Sequence, residues 1–324
     1  MSLAENNSTP PFRWHKFTAA EFAGSERDQG QAIVTLNAIH WRRVRPFFYR
    51  PHLPFQEFHP TVVTPPLLSH FGGCQFAVPP GVTPNSLLNV LLFENAGAYS
   101  LAALDAKRRW EVRSAAKVFS IREIADVNAF KEEAFPIYLS FYERTEYGYK
   151  KERLDPVWFA RWAESLFRTK CLILGAFANE KLEAICVCRC VEDTVLYSTA
   201  FCSAQSLRQN VNSLLLHSVR QSVASQGQAS RVFVGMYKFG AARGVDDFYL
   251  LRGCSLVRMP AVLRVNPLVR AFLRAFLPGV LAKLFGAFEP AETGREHNPD
   301  GHERAEAPRV LTASHPSACH LSNG

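Results

Sequence analysis

From residue 171 onward the apolar positions fall into short runs cut by polar turns, and their period changes partway. Residues 171–177 are apolar, and Asn179, Glu180 and Lys181 break the run. Residues 182–191 follow, then a turn at Glu192 and Asp193, then residues 194–201. Runs of this length between turn residues predict three consecutive strands. Residues 207–213 lead into a helix that runs to about Ala224, and after Gly227 residues 231–235 predict a further strand. Hairpins followed by a crossover helix build a mixed sheet with a helix packed on it.

The N-terminal half is less regular. Residues 35–41 and 43–49 read as strands, the second aromatic and basic, and prolines 51 and 54 force a break. Residues 74–78 and 99–104 read as strands and 87–93 as an apolar segment, with a basic helix at 105–119 and a short strand at 120–124. Two helices follow at 126–142 and 156–167, the first opened by Asp126 and the second by Asp155 with Pro156 behind it. Between them lies a charged, tyrosine-rich stretch, 144–153, expected to be mobile. Residues 256–265 predict a last strand interrupted by Pro260, and 268–288 an amphipathic basic helix that Pro278 and Gly279 kink or split. The organisation expected is a frayed N-terminus (1–13), a first region (14–124), a second (125–265), the basic helix (266–288) and a disordered tail (289–324).

Composition narrows the class. With 324 residues, 48% hydrophobic and 12% aromatic, the chain can bury a substantial core. A formal charge of +8 suits an acidic partner such as CoA, tRNA or an anionic membrane, and equally suits plain solubility. Cys186, Cys188 and Cys190 alternate along one strand and so share a face. They lack the paired spacing of a metal site, so buried thiols in a reducing cytoplasm are expected and no metal is. Residues 1–11 carry no apolar core, so no signal peptide is expected, and no run of about 20 apolar residues suggests a membrane span.

Two places could hold chemistry. The polar turn at 203–212 precedes a helix whose free amides and dipole favour phosphate or carboxylate, with Arg208 adding a charge. Ordinary helix capping by Asn210 or Asn212 explains the same residues. The second place is Tyr237 and Lys238 with Asp246, Asp247 and Tyr249. One of the acids could position or deprotonate an amine while Tyr237 or Tyr249 donates to a leaving group. A surface loop with its acids paired to Lys238 or Arg243 is the alternative. His217 inside the helix reads as a helix-face or core residue. Residues 42–50 interleave arginines with aromatics, which suits either nucleic-acid stacking or a strand with exposed arginines and buried rings. No Walker, dinucleotide or nucleophile-elbow motif is present.

Several of these stretches together resemble the GNAT-type N-acyltransferases, in their FemAB-like two-lobed branch. Residues 109–117 with 119–122 are similar to that family's basic helix and following strand between lobes. Residues 48–55 are similar to its proline-rich strand end in the first lobe. Residues 171–251 resemble the second lobe, with Gln209 to Leu215 at the helix start. The resemblance spans about 14–265. It implies an α/β (α+β) fold: a GNAT-like mixed sheet with flanking helices, in two lobes with the first abbreviated. It further implies transfer of an acyl or aminoacyl group to an amine from acyl-CoA, such as acetyl-CoA, or from aminoacyl-tRNA. Arg208, Gln209, Asn210 and Asn212 match the donor-pyrophosphate position, and only that turn matches residue by residue; the amine acceptor is expected near Tyr237, Asp246, Asp247 and Tyr249. Asn210, Val211 and Asn212 stand where a standard CoA loop has glycines, which favours a FemAB-like donor mode or a binding protein on a degenerate fold. Partners expected are the acyl donor, the amine acceptor, tRNA, and an anionic membrane touched through residues 266–288.

Overall fold

The computed structural model describes residues 12–145, 151–237 and 244–286, which lie in one compact unit. Strand β1 (Lys16–Phe17) leads into helix α1 (Ala19–Asp28), which Thr18 and Glu21 open with a reciprocal capping box. An antiparallel meander follows: β2 (Ile33–Leu36), β3 (Ile39–Arg45) and β4 (Phe48–Pro51). The strands expected at 35–41 and 43–49 are therefore displaced. Asn37, Ala38 and Phe47 take positive φ and make the turns inside those windows, where neither window carries a glycine to mark one. In the meander Trp41, Phe48 and Tyr49 are buried while Arg43 and Arg45 are exposed.

Strands β5 (Gly73–Ala77) and β6 (Ser86–Phe93) come next. Residues 99–104 do not form the expected strand. They run through a 3-10 turn at Leu101–Ala103, and the Arg109 guanidinium takes the Ala102 and Leu104 carbonyls that a strand would give to a neighbour. Helix α2 (Ala106–Ala116) is capped by Asp105 and leads to β7 (Ser120–Glu123). Helices α3 (Val127–Thr145) and α4 (Pro156–Arg168) precede the hairpin strands β8 (Leu172–Ala178), β9 (Lys181–Val191) and β10 (Thr194–Cys202). The helix expected after residue 207 is two, α5 (Ala204–Arg208) and α6 (Val211–Gln226), parted where Asn210 takes φ 62°. Then come β11 (Arg231–Met236), α7 (Gly244–Leu250), β12 (Ser255–Val265), α8 (Pro267–Phe276) and α9 (Pro278–Phe285). Pro260 does not interrupt β12. Up to that residue the strand has only β6 beside it, and pairing with β5 begins at Ala261, so a residue without an N–H is tolerated.

Among the described residues all twelve strands join one sheet, in the order β2-β3-β4-β5-β12-β6-β11-β10-β9-β8-β7 with β1 on β9. Strands from residues 14–124 and 125–265 thus interleave: β12 lies between β5 and β6, and β6 between β12 and β11. Alternation along the strands sorts side chains to two faces. Leu172, Leu174, Cys186, Cys188 and Cys190 meet α2 and α6 on one face, while Ile173, Ile185 and Val187 meet α3 and α4 on the other. Phe22 of α1 packs on that second face against Leu196 and Val191. Phe130, Phe159 and Phe201 anchor the α3–α4 layer, and full burial of each contributes about 1.5–3 kcal/mol. Among the described residues no helix is long and apolar enough to cross a membrane. The stretches 1–11, 146–150, 238–243 and 287–324, including Lys238 and the expected tail, lie outside the described residues.

Candidate functional site

In the middle of the sheet two neighbouring parallel strands part. β10 and β11 pair only where Thr194, Val195 and Leu196 meet Arg231, Val232 and Phe233. Beyond that point β10 stays with β9 and β11 stays with β6. Each strand shifts register at the parting, between Tyr197 and Thr199 on one side and between Phe233 and Gly235 on the other. Such irregularities end pairing and re-aim side chains. Gly235 sits at φ 142°, a conformation side-chain-bearing residues seldom adopt. The backbone polar groups along the two diverging edges are therefore available to a third party.

A cavity of about 230 Å³ opens over the parting, lined by Leu196, Tyr197, Ser198, Thr199, Phe233, Val234 and Gly235 from the two strands. Its other walls come from α1 and residues 52–54 on one side and from Arg153, Trp162 and Leu166 on the other. Arg189 reaches in from β9; it is 5% exposed and ion-paired with Glu26 at 3.2 Å. The His52 ring stacks on Phe22 at 4.4 Å. Burial first, then the nearby Arg42 and Arg189, push its pKa down to about 3, so the ring is neutral. The Arg153 guanidinium lies 4.1 Å from the centre of the Trp162 ring. None of these residues stood out in the sequence. His52 sits between prolines without ligand spacing, and its neighbour Arg189 arrives from a distant strand.

The expected acceptor-side residues lie on the opposite face, behind Tyr197. Residues 244–250 are a helix rather than the loop expected there. One helical step separates Asp246 from Asp247, so the first is buried and the second exposed, and they form no acid pair. Tyr249 packs edge-on against Tyr197, ring centres 6.3 Å apart. Burial, helped by Cys186 and Cys254, raises its pKa, so the phenol keeps its proton. Tyr237 continues β11, its N–H bonded to the Asn89 carbonyl at 3.0 Å and its ring against the same core. Asp246, Tyr249 and Tyr197 are thus brought together, Tyr237 borders the same core, and Asp247 is not part of the group.

The expected donor-side residues follow one another but do not converge. Arg208 ends α5 and is exposed. Gln209 turns toward a shallow depression shared with Gln205, Lys181 and Glu183. Asn210 takes the left-handed turn and gives α6 no side-chain cap. Asn212 lies beside the Cys202 thiol, with its side-chain oxygen buried and without a partner. The expected capping by Asn210 or Asn212 is not made; the side-chain cap here is on α5, whose Ser203 hydroxyl accepts from the Ser206 N–H at 3.1 Å. The first-turn amides of α6 remain uncapped by any side chain.

One buried network braces this face. Glu111 of α2 accepts from Arg108 and, at 2.5 Å, from Arg252, which also donates to the Ser213 hydroxyl at 2.8 Å and to the Phe248 carbonyl at 2.7 Å. It locks α2, α6 and the end of α7 together. The signal in the sequence is slight: Glu111 is a lone acid inside a basic helix. Beside it, His217 bonds the Tyr99 hydroxyl at 2.8 Å, and burial lowers its pKa to about 4.

No family model matches the sequence, and no curated protein matches it. Solved structures do. The C-terminal DUF2156 domain of a putative lysylphosphatidylglycerol synthetase from Agrobacterium fabrum aligns over 84% of this chain and 99% of its own, at 12% identity and TM-score 0.52. A GCN5-related N-acetyltransferase from Kribbella flavida covers 78% of this chain and 96% of its own at 14% identity, with TM-score 0.40. FemX covers 60% of this chain and 66% of its own at 9% identity, with TM-score 0.46. The last two, below 0.5, add no weight. The fold is thus like that of the DUF2156 domain, an α/β mixed sheet with flanking helices; at 12% identity the likeness concerns fold alone.

Proposed function

We propose that the protein is an N-acyltransferase that moves an acyl or aminoacyl group from acyl-CoA, acetyl-CoA being the simplest case, or from aminoacyl-tRNA to an amine. Residues 14–124 and 125–265 both contribute to the transferring sheet, the first as the abbreviated lobe and the second as the lobe that carries β10 and β11. The observation that carries this reading is the parting of β10 and β11 above a cavity. Backbone groups freed there can hold the donor carbonyl and stabilise an oxyanion. The amine nitrogen attacks the carbonyl carbon and a C–N bond forms. The thioester C–S or ester C–O bond breaks, and the amine's proton passes to the departing sulfur or oxygen. Positioning supplies most of the rate, so no nucleophilic side chain is needed. Arg208, Gln209, Asn210 and Asn212 would meet the donor's phosphates. Asp246 and Tyr249, with Tyr237 bordering the same core, would serve the proton transfer, and the exposed Asp247 would take no part in it. A cytoplasmic setting accords with the buried, unbridged cysteines.

A transfer assay with labelled acetyl-CoA, longer acyl-CoAs and aminoacyl-tRNA against a panel of amines tests this reading. Wild type should label an amine, Ser198→Phe should abolish labelling by filling the cavity, and Arg208→Ala should cut it at least tenfold. No labelling by wild type with any donor would refute it. Donor binding without labelling would favour the second reading, a non-catalytic binding or scaffold protein, which the turning away of Gln209 and the absent loop glycines support.

Peripheral contact with an anionic membrane through residues 266–288 belongs to the same proposal. Leu268, Phe272 and Phe276 of α8 are 81%, 54% and 70% exposed, and Arg270 and Arg274 flank them with no acid between residues 255 and 286. Asn266 donates to the His70 carbonyl at 2.8 Å, which sets the helix beside the exposed Phe71.

A further inference from the structure

The cavity over the parted strands is lined by buried side-chain nitrogens that no protein acceptor satisfies. Arg42, Arg153 and Arg189 line it, and Glu26 is the one carboxylate among the described lining residues. Arg189 gives one nitrogen to Glu26 and another to the Ser198 hydroxyl at 3.5 Å, yet its buried Nε has no partner. His52 is 9% exposed with both ring nitrogens unpaired, and the Gln29 amide nitrogen is unpaired as well. Buried polar groups in folded proteins are nearly always paired, so orphans that converge on one cavity point to a ligand rather than to packing. The ligand must bring acceptors and negative charge. Guanidinium groups favour carboxylate and phosphate because their planar forks match those oxygens. At about 230 Å³ the space suits a small head group and not a long chain.

We propose that this cavity binds an oxyacid anion, carboxylate or phosphate, carried by the acceptor itself, so that the substrate class is an amine bearing a nearby acidic group. This rests on the transfer reading for the word acceptor, though the anion site stands without it. Arg189 and Arg153 hold the anion from opposite walls. His52, neutral at physiological pH, offers one N–H to the anion and one bare nitrogen to the acceptor's own N–H. The acid end is thereby fixed on the arginines and the nitrogen end is left over the parted strands.

The test is a titration of the full-length protein, with labelled histidine, against inorganic phosphate, acetate and methylammonium, read by NMR on the His52 ring and assigned with His52→Gln. Phosphate or acetate should shift the His52 signals saturably, which of the two does so identifying the acid, and methylammonium alone should not. In the Arg42→Gln/Arg153→Gln double variant, both at half-buried positions, affinity should fall at least tenfold while the melting temperature shows the variant folded. No shift with either anion, or equal affinity in the double variant, would overturn the proposal. Saturable binding without transfer activity would leave the anion site standing and remove the transferase reading. Transfer to uncharged amines at an unaltered rate in the double variant would do the reverse.

Discussion

Glu111 shows how much a single residue can carry here. It and Arg252 are both buried, and the pair holds α2 against the end of α7. Removing one partner strands the other charge, so Glu111→Ala should cost about 3–5 kcal/mol in urea unfolding, and Glu111→Gln less, because the amide oxygen still accepts. Histidines set the acid limb. His52 and His217 have pKa values lowered from 6.5 to about 3 and about 4. The unfolded chain takes up protons below pH 6.5 while the folded chain does not, so stability is full above that pH and falls as pH drops toward 4. The melting temperature should decline between pH 6.5 and 5, and His217→Phe should flatten that decline; an unchanged slope would contradict the assignment. Legibility at this scale was poor for a definite reason. Asp105 and Asp155 act locally as caps and could be read directly, whereas His52 and Glu111 matter only through residues far along the chain.

Among the elements, α8 and α9 divide the C-terminal segment where Pro278 and Gly279 announced a break. They differ in how they are held. Gln75 and Asn89 donate to the carbonyls of Leu284 and Gly286 at 2.8 and 3.2 Å, pinning the end of α9 to the sheet. Gly286 has φ 67°, and a side chain there would strike the Leu87 carbonyl. Gly286→Ala should therefore destabilise by at least about 1–2 kcal/mol, measured by denaturant unfolding. α8 has no buried residue. Phe272→Ser with Phe276→Ser, or Arg270→Glu with Arg274→Glu, should each reduce pelleting with vesicles rich in anionic lipid severalfold, with little change in melting temperature. Equal pelleting of wild type and variants would rule out this contact. Periodicity revealed the α8–α9 stripe and the strands of the 171–202 region. It failed at 99–104, where a side chain from the next helix captures the backbone.

Across the whole molecule, local pattern named most elements but not their order in the sheet. Nothing in β12 says that it inserts between β5 and β6, since that choice is made by distant hydrophobic faces meeting. The parting of β10 and β11 was invisible for the same reason: it exists only because β11 continues onto β6 while β10 continues onto β9. The sequence drew attention to the turn after β10 and to Asp246 and Tyr249, which border the parted strands from one face. The arginine-lined cavity on the other face emerged only from the fold. The central claim is that an acyl or aminoacyl donor enters between these two strands, and calorimetric titration of wild-type and Ser198→Phe protein with acetyl-CoA, longer acyl-CoAs and aminoacyl-tRNA tests it most directly. Saturable binding of one donor to wild type, weakened at least tenfold by Ser198→Phe, is the expected result; binding of none, or equal binding to both proteins, would contradict it.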